Sequence, residues 1–330
     1  MISEVIKKSL DNEVISHDEI GRLFRVPLFS EDSAKIISAS RIKSEKASNG
    51  LAEVHAQVGL NIAPCPRNCA FCAFAAKNKI FEERTELSVK EAVNRANQFE
   101  KSGANAIYLM STADYPFGKF IEYSQEIKNN LKDTTILVAN VGDFSYDHAI
   151  QIKDVGFSGI YHAVRLGEAR DTSIPVSKRL ETFRHSKAVG LSLGTCLEPV
   201  GNEHTIEELV EKTIITREAG PCYSGSARRI PILDTELAKY GIVSEAKMAH
   251  ILAVVRLALG YDIPGNCTHE PNVIGAAAGA NLLWAESGAN PRDTEEKTEE
   301  KRGMTVADCI NVFFEAEWQV LNGPSKLYAS

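Results

Sequence analysis

Eight short segments rich in aliphatic and β-branched residues recur along the chain, with amphipathic stretches between them. This alternation constrains the fold more than any other feature. The segments are "VHAQVGLNI" (54–62), "NAIYLMS" (105–111), "TTILVAN" (134–140), "GIYHAVRL" (159–166), "LSLGTCL" (191–197), "SARRIPI" (226–232), "YDIPGN" (261–266) and "ANLLWAE" (280–286). Between them lie "SVKEAVNRANQFEKSG", "SYDHAIQIKDVG" and "TIEELVEKTIITREAG". Each places apolar residues at helical spacing and closes on Gly, which readily takes the left-handed conformation that ends a helix. Parallel strands need crossover connections, usually helices, and eight such units close into a TIM-type (β/α)8 barrel. The sixth and seventh strands are the most interrupted, by two arginines and by prolines.

A helical preface precedes the barrel pattern. In "ISHDEIGRLFRVPL", Ser16 and Glu19 have capping-box spacing, and Ile20, Leu23 and Phe24 repeat at helical intervals. A second helix is expected over 33–46. The expected organisation is an N-terminal helical extension over 1–50 and a barrel with a C-terminal helical segment over 51–330. The first residues lack the apolar block of a signal peptide, and no apolar run approaches the roughly 20 residues needed to cross a bilayer. The expectation is a cytoplasmic protein without a membrane partner. A net charge of −7 argues against a nucleic-acid partner, which needs a basic footprint. The run "DTEEKTEEKR" (293–302) reads as a solvated loop or helix face.

The chain has seven cysteines, an odd number in a sequence with no secretory signal, so metal or redox chemistry is expected ahead of a disulfide framework. Three lie in "NIAPCPRNCAFCAFAA" (61–76), spaced Cys65-x3-Cys69-x2-Cys72, just after the first strand. Barrel enzymes build their active sites on such loops. Three thiolates on one loop can each bind one iron of a cubic cluster and leave the fourth iron open. A structural zinc site would need a fourth ligand, and no second cysteine pair follows Cys72 closely. Three buried small residues are the remaining alternative.

Cys65, Cys69 and Cys72, with the aromatic Phe71 before the last, resemble the CxxxCxΦC signature of radical S-adenosylmethionine (SAM) enzymes. The wider chain resembles the branch containing biotin synthase, the hydrogenase maturase HydE, methylornithine synthase and HmdB. The resemblance implies a [4Fe–4S] cluster whose open iron is chelated by SAM. It further implies reductive cleavage of SAM to a 5′-deoxyadenosyl radical that abstracts hydrogen from a small molecule. It places the SAM ammonium group near "STADYPFG", where Ser111, Thr112 and Asp114 stand in for the family's Gly-Gly-Glu-like segment. It matches Glu168 to a glutamate that contacts SAM and Arg179 to the arginine that pairs with the SAM carboxylate. A reducing partner such as ferredoxin or flavodoxin is implied as well.

Biotin synthase holds a second cluster on cysteines of middle strands. The corresponding strand ends here, "LMSTAD", "LVANVGD" and "GLSLG", have no cysteine at those positions, so sulfur insertion of that kind is not expected. Cys196, Cys222, Cys267 and Cys309 are expected to be packing residues, with Cys196 and Cys267 able to face the barrel mouth. Asn140, His162, Arg165, Glu198, Arg228, Arg229, Asn266, His269 and Glu286 fall near predicted strand ends. Several arginines there would suit a carboxylate-bearing small molecule. The expected activity is rearrangement, cleavage or joining of a small molecule in cofactor biosynthesis or hydrogenase maturation. The alternatives are a methylornithine-synthase-like mutase, an iron-sulfur electron carrier and a zinc-dependent barrel hydrolase.

Overall fold

A computed structural model describes residues 1–328. Eight parallel strands form the barrel: β1 Leu51–Gly59, β2 Ala106–Met110, β3 Ile136–Asn140, β4 Gly159–Tyr161, β5 Ser192–Gly194, β6 Tyr223–Arg228, β7 Gly265–Thr268 and β8 Leu282–Gly288. Each strand pairs with its neighbour in chain order, and β1 closes on β8. The closing register runs from Glu53↔Leu282 to Gly59↔Gly288. A short strand, Leu197–Val200, adds to β6 outside this cycle.

The expected strands are found, with shifted edges. The first begins at Leu51 and ends at Gly59, and Asn61–Ile62 instead pair antiparallel with Thr85–Glu86 across the cysteine loop. The fourth ends at Tyr161, so His162 and Arg165 belong to the following loop. The sixth starts three residues early, at Tyr223. The seventh begins at Gly265, after Pro264, which has no N–H to give to the ladder.

Helices α1 Ile2–Leu10, α2 His17–Phe24 and α3 Glu31–Ser48 form the preface. At α2 the Ser16 hydroxyl accepts from the Glu19 N–H at 3.3 Å and the Glu19 carboxylate from the Ser16 N–H at 2.6 Å, the reciprocal cap that the sequence predicts. The barrel helices are α4 Val89–Lys101, α5 Phe117–Asn129, α6 Tyr146–Val155, α7 Val176–Ala188, α8 Ile206–Ala219, α9 Glu245–Ala258, α10 Val273–Ala277 and α11 Val306–Glu315. Gly156 and Gly220 end α6 and α8 with positive φ. Ile20, Leu23 and Ile36 of the preface share one hydrophobic cluster with Leu209 of α8 and Val254 of α9. Buried Lys43 bridges Ser9 O, at 2.9 Å, to Leu257 O, at 3.3 Å.

Aromatic side chains fill the barrel interior. Tyr108, Tyr161, Tyr223, Trp284 and Tyr328 pack together with Cys196 and Cys267. Within this plug His55 bonds Glu53 at 2.8 Å and Tyr108 at 2.9 Å. The barrel is a packed core, and ligand space lies at one end.

The β1–β8 closure depends on glycine. A Cβ on Gly59 would overlap the Ala289 backbone, and one on Gly288, at φ +79°, would press on Gly59. Gly59→Ala is therefore expected to cost about 1–3 kcal/mol through forced strand separation. Urea unfolding would measure it, and an unchanged midpoint would show that the strand ends part freely.

Candidate active site

Backbone hydrogen bonds across the mouth hold the cysteine loop. The Cys65 N–H donates to Phe74 O at 2.6 Å and the Cys72 N–H to Cys69 O at 3.1 Å. Ala70 N–H reaches Asp171 O at 2.7 Å, in the loop after β4, and Ala73 N–H reaches Pro291 O at 2.8 Å, in the loop after β8. The loop after β1 is therefore fixed by two loops distant in sequence.

The three thiols and Phe71 line one cavity at the C-terminal ends of the strands. On its β2–β4 side are Ser111, Thr112, Asn140 and Arg179, and farther round are Arg165, Glu198, Arg229, His269 and Glu286. Thr112 is anchored by Asn61, whose amide accepts from the Thr112 N–H at 3.0 Å and donates to its hydroxyl at 2.9 Å. Asn140 donates to Gln57 at 2.8 Å.

Five of the sequence-predicted residues do not line the cavity. Asp114 turns to Arg84 at 2.7 Å. Glu168 is buried behind Arg179, accepting from its Nε at 3.0 Å, from Thr172 at 2.6 Å and from the Arg165 N–H at 3.0 Å. His162 meets Asp143 at 3.0 Å, and burial keeps its pKa below the ordinary value. Arg228 pairs with Glu270 and Glu245. Asn266 is fully buried, donating to Gly279 O at 2.9 Å. In each case a polar strand-end residue found a protein partner away from the mouth.

Arg179 is the centre of a buried charge network. Its Nη1 donates to Asp143 at 3.0 Å, its Nε donates to Glu168, and its Nη2 makes only a 3.5 Å contact with Glu168. Burial alone would raise the Asp143 pKa, but His162 and Arg179 outweigh it and hold the carboxyl well below its usual range. Arg165 approaches Glu198 at 3.6 Å.

A second network surrounds Glu286 on β8. Its carboxylate accepts from Asn290 at 2.8 Å, Arg292 at 2.9 Å and Arg302 at 2.8 Å. The run 293–302 is thus not simply a solvated face: Asp293 is buried, and Arg302 reaches back to Glu286 and Asp293. Sequence reading missed Asp143, Arg292 and Arg302. Asp143 follows the third strand and Arg292 the eighth, which were the available signals.

Cys222 and Cys309 pack as expected. Cys196 and Cys267 were expected to be separate packing residues, but their sulfurs are in contact, with Cα atoms 7.5 Å apart.

Residues 63–213 match the family described as the Radical SAM superfamily. Biotin synthase of Carboxydothermus hydrogenoformans is 22% identical over 76% of this chain and 81% of its own length. Biotin synthase of Clostridioides difficile is 24% identical over 77% and 81%. Among solved structures, methylornithine synthase (PylB) superimposes with a TM-score of 0.81 at 15% identity, covering 98% of both chains. The FeFe-hydrogenase maturase HydG from Carboxydothermus hydrogenoformans gives 0.79 at 19% identity, covering 99% of this chain and 80% of that one. At these identities the two superpositions establish the barrel fold alone. No described helix is long and apolar enough to cross a membrane.

The Glu286 network carries a pH signature. Burial would raise this carboxyl, but Arg302 and Arg292 hold it at about 2, below its ordinary 4.5. Its stabilising contribution is present above about pH 4.5 and is lost as pH falls toward 2, an amount on the order of 3 kcal/mol. Glu286→Gln leaves two half-buried guanidinium groups short of charge, although Arg302 keeps Asp293, with an expected loss of about 2–3 kcal/mol at neutral pH and a shallower acid slope. Urea midpoints across pH would report both effects, and parallel curves for the two proteins would contradict the assignment.

Proposed function

We propose that this chain is a radical SAM enzyme, a reading supported by the match of residues 63–213 to that superfamily and by the biotin synthase relatives, and that it acts on a small carboxylate-bearing molecule, rearranging, cleaving or joining it in cofactor biosynthesis or hydrogenase maturation. Enzymes of the superfamily use a [4Fe–4S] cluster and SAM. The observation that carries the proposal is that three thiols on one loop share a cavity with a cluster of arginines.

The residues fit the cofactors. Burial pushes all three thiols up, Cys72 to about 12 with help from neighbouring Cys69, so they stay protonated until a bound cation displaces their protons. Among the described residues, the one set of three His, Cys, Asp or Glu ligand atoms within 4.8 Å of one another lies elsewhere. Three thiols on one loop supply one ligand to each of three irons and leave the fourth open, which suits a multi-iron cluster. Cys65, Cys69 and Cys72 would hold it. When bound, cluster and SAM supply one-electron cleavage of SAM and hydrogen-atom abstraction from the substrate.

The remaining steps belong to the chain's own side chains. Arg179 would receive the SAM carboxylate through its least engaged nitrogen, Nη2, while Asp143 and Glu168 hold the guanidinium in place. Glu168 becomes a positioning residue in this proposal rather than a direct contact. Ser111, Thr112 and Asn140 offer oxygen acceptors for the ammonium group. Met110, Phe74, Ile174 and Ile230 line the cavity and exclude water. Arg165, Arg229 and Arg292, beside Glu198 and Glu286, would bind the substrate's carboxylate and any amine. The reducing partner would be a low-potential donor such as ferredoxin or flavodoxin. A second reading, an amino-acid mutase like methylornithine synthase, would use the same arginines and carboxylates to hold an amino-acid substrate.

Anaerobic reconstitution with iron and sulfide, followed by SAM and a reductant, tests the proposal. The expected product is 5′-deoxyadenosine, absent when Cys65, Cys69 or Cys72 is replaced by Ala. Full cleavage in any of these variants would reject the cluster assignment. Arg179→Lys keeps the buried charge but loses the planar fork, so SAM affinity is expected to fall by about 1.5–3 kcal/mol, on the order of 10–100-fold, with iron content unchanged. Titration of SAM against the cluster's absorption would measure it, and wild-type affinity would assign the carboxylate to another group.

A further inference from the structure

We propose that Cys196, Cys267 and His269 form a second metal site, for a single thiophilic divalent cation such as zinc, at the floor of the cavity. The three side chains offer two sulfurs and a ring nitrogen within 4.8 Å of one another. Two sulfurs and an imidazole are a donor set suited to tetrahedral zinc.

The backbone explains the convergence. Cys267 is the third residue of β7 and is fully buried among the inward-facing aromatics. His269 lies two residues on, so strand alternation brings its ring to the same inward side. Cys196 arrives from the end of β5, 71 residues earlier in the chain. The His269 ring is fixed by stacking on Trp284, centroids 4.5 Å apart at 7°, and by a 3.2 Å bond from Nε2 to the Tyr161 hydroxyl.

A disulfide is the competing use of two meeting cysteines. Disulfides usually hold their Cα atoms about 4.4–6.8 Å apart, whereas these are 7.5 Å apart. A bridging ion relaxes that limit: with Zn–S near 2.3 Å, two tetrahedral thiolates sit about 3.8 Å apart. A pairing of two thiols also gives no reason for the third donor beside them. Cys196 and Cys267 are closed off within the barrel, while His269 lines the cavity shared with the cysteine loop. Three protein ligands leave a fourth position, and the side open to it is the cavity. The ligand class expected there is an anionic or soft donor on the substrate, a carboxylate or a thiolate.

The test separates this site from the loop cysteines by using the full chain with Cys65→Ala, Cys69→Ala and Cys72→Ala combined, which leaves four of the seven cysteines. Purified under reductant and treated with chelator, this protein is expected to take up one equivalent of Co2+, with thiolate-to-cobalt absorption in the near ultraviolet that zinc abolishes. Adding Cys196→Ser, Cys267→Ser or His269→Gln should weaken binding by more than about a hundredfold, beyond the 10–100-fold typical of a group that only supports a ligand. Cys222→Ser should leave it unchanged, and circular dichroism identifies any variant that has lost its fold. Four results would each overturn the proposal: no cobalt uptake by the folded parent, equal uptake in a folded Cys196→Ser variant, two thiols reactive only after reduction in the chelated, denatured parent, or iron accompanied by acid-labile sulfide. The first three deny the site; the last replaces the single ion with a cluster. None bears on whether the loop cysteines hold theirs.

Discussion

The closure of β1 on β8 is the constraint from which the cavity follows. Seven residue pairs, from Glu53↔Leu282 to Gly59↔Gly288, fix the register of the two strands. They end in glycines because their backbones approach more closely than side chains allow. What leaves those ends is thereby fixed too: the cysteine loop from β1 and the Asn290–Arg292 turn from β8. The Ala73 N–H to Pro291 O bond joins them directly. Had the register slipped by one residue, inward and outward side chains would exchange, and Glu286 would leave the mouth.

Within that frame the problem is electrostatic. Arg67, Arg165, Arg179, Arg229 and Arg292 line the cavity against Glu198 and Glu286. Burying this much charge is tolerable because most of these guanidinium groups have a carboxylate partner: Asp143 and Glu168 for Arg179, Glu203 for Arg229, Glu286 for Arg292. The carboxylates lie mainly behind the arginines, as the places of Asp143, Glu168 and Glu203 off the cavity lining illustrate. The cavity is consequently presented with donors already oriented, which costs little reorganisation when an anion binds.

The sequence made local features legible and left tertiary pairings hidden. Cys65, Cys69 and Cys72 could be placed from spacing alone because one loop carries them all. Strand ends were recoverable to within a few residues because they depend on short-range apolar patterning. The resemblance brought Glu168 and Arg179 together, yet Asp143, 36 residues from Arg179, stayed unnoticed because nothing local marks its partner. Composition misled at 293–302, where the acidic and basic residues look uniformly solvated but Asp293 and Arg302 turn inward to Glu286. Asn266 and Arg228 misled for a related reason: proximity to a strand end does not determine which side of the wall a side chain serves. The Cys196 contact with Cys267 exists only once β5 and β7 have been brought together by the closed barrel.

Charge at two scales reconciles an acidic protein with a cation-lined mouth. The chain carries a net −7, yet more guanidinium than carboxylate groups line the cavity. Low-dielectric walls focus the local field, and a screening length of about 8–10 Å in physiological salt keeps distant surface carboxylates from cancelling it. Net charge therefore disfavours polyanions, which sample the whole surface. A small anion that enters the mouth meets the arginines instead. The same separation selects for size as well as sign, because only a ligand small enough to leave the outer surface behind experiences the interior potential.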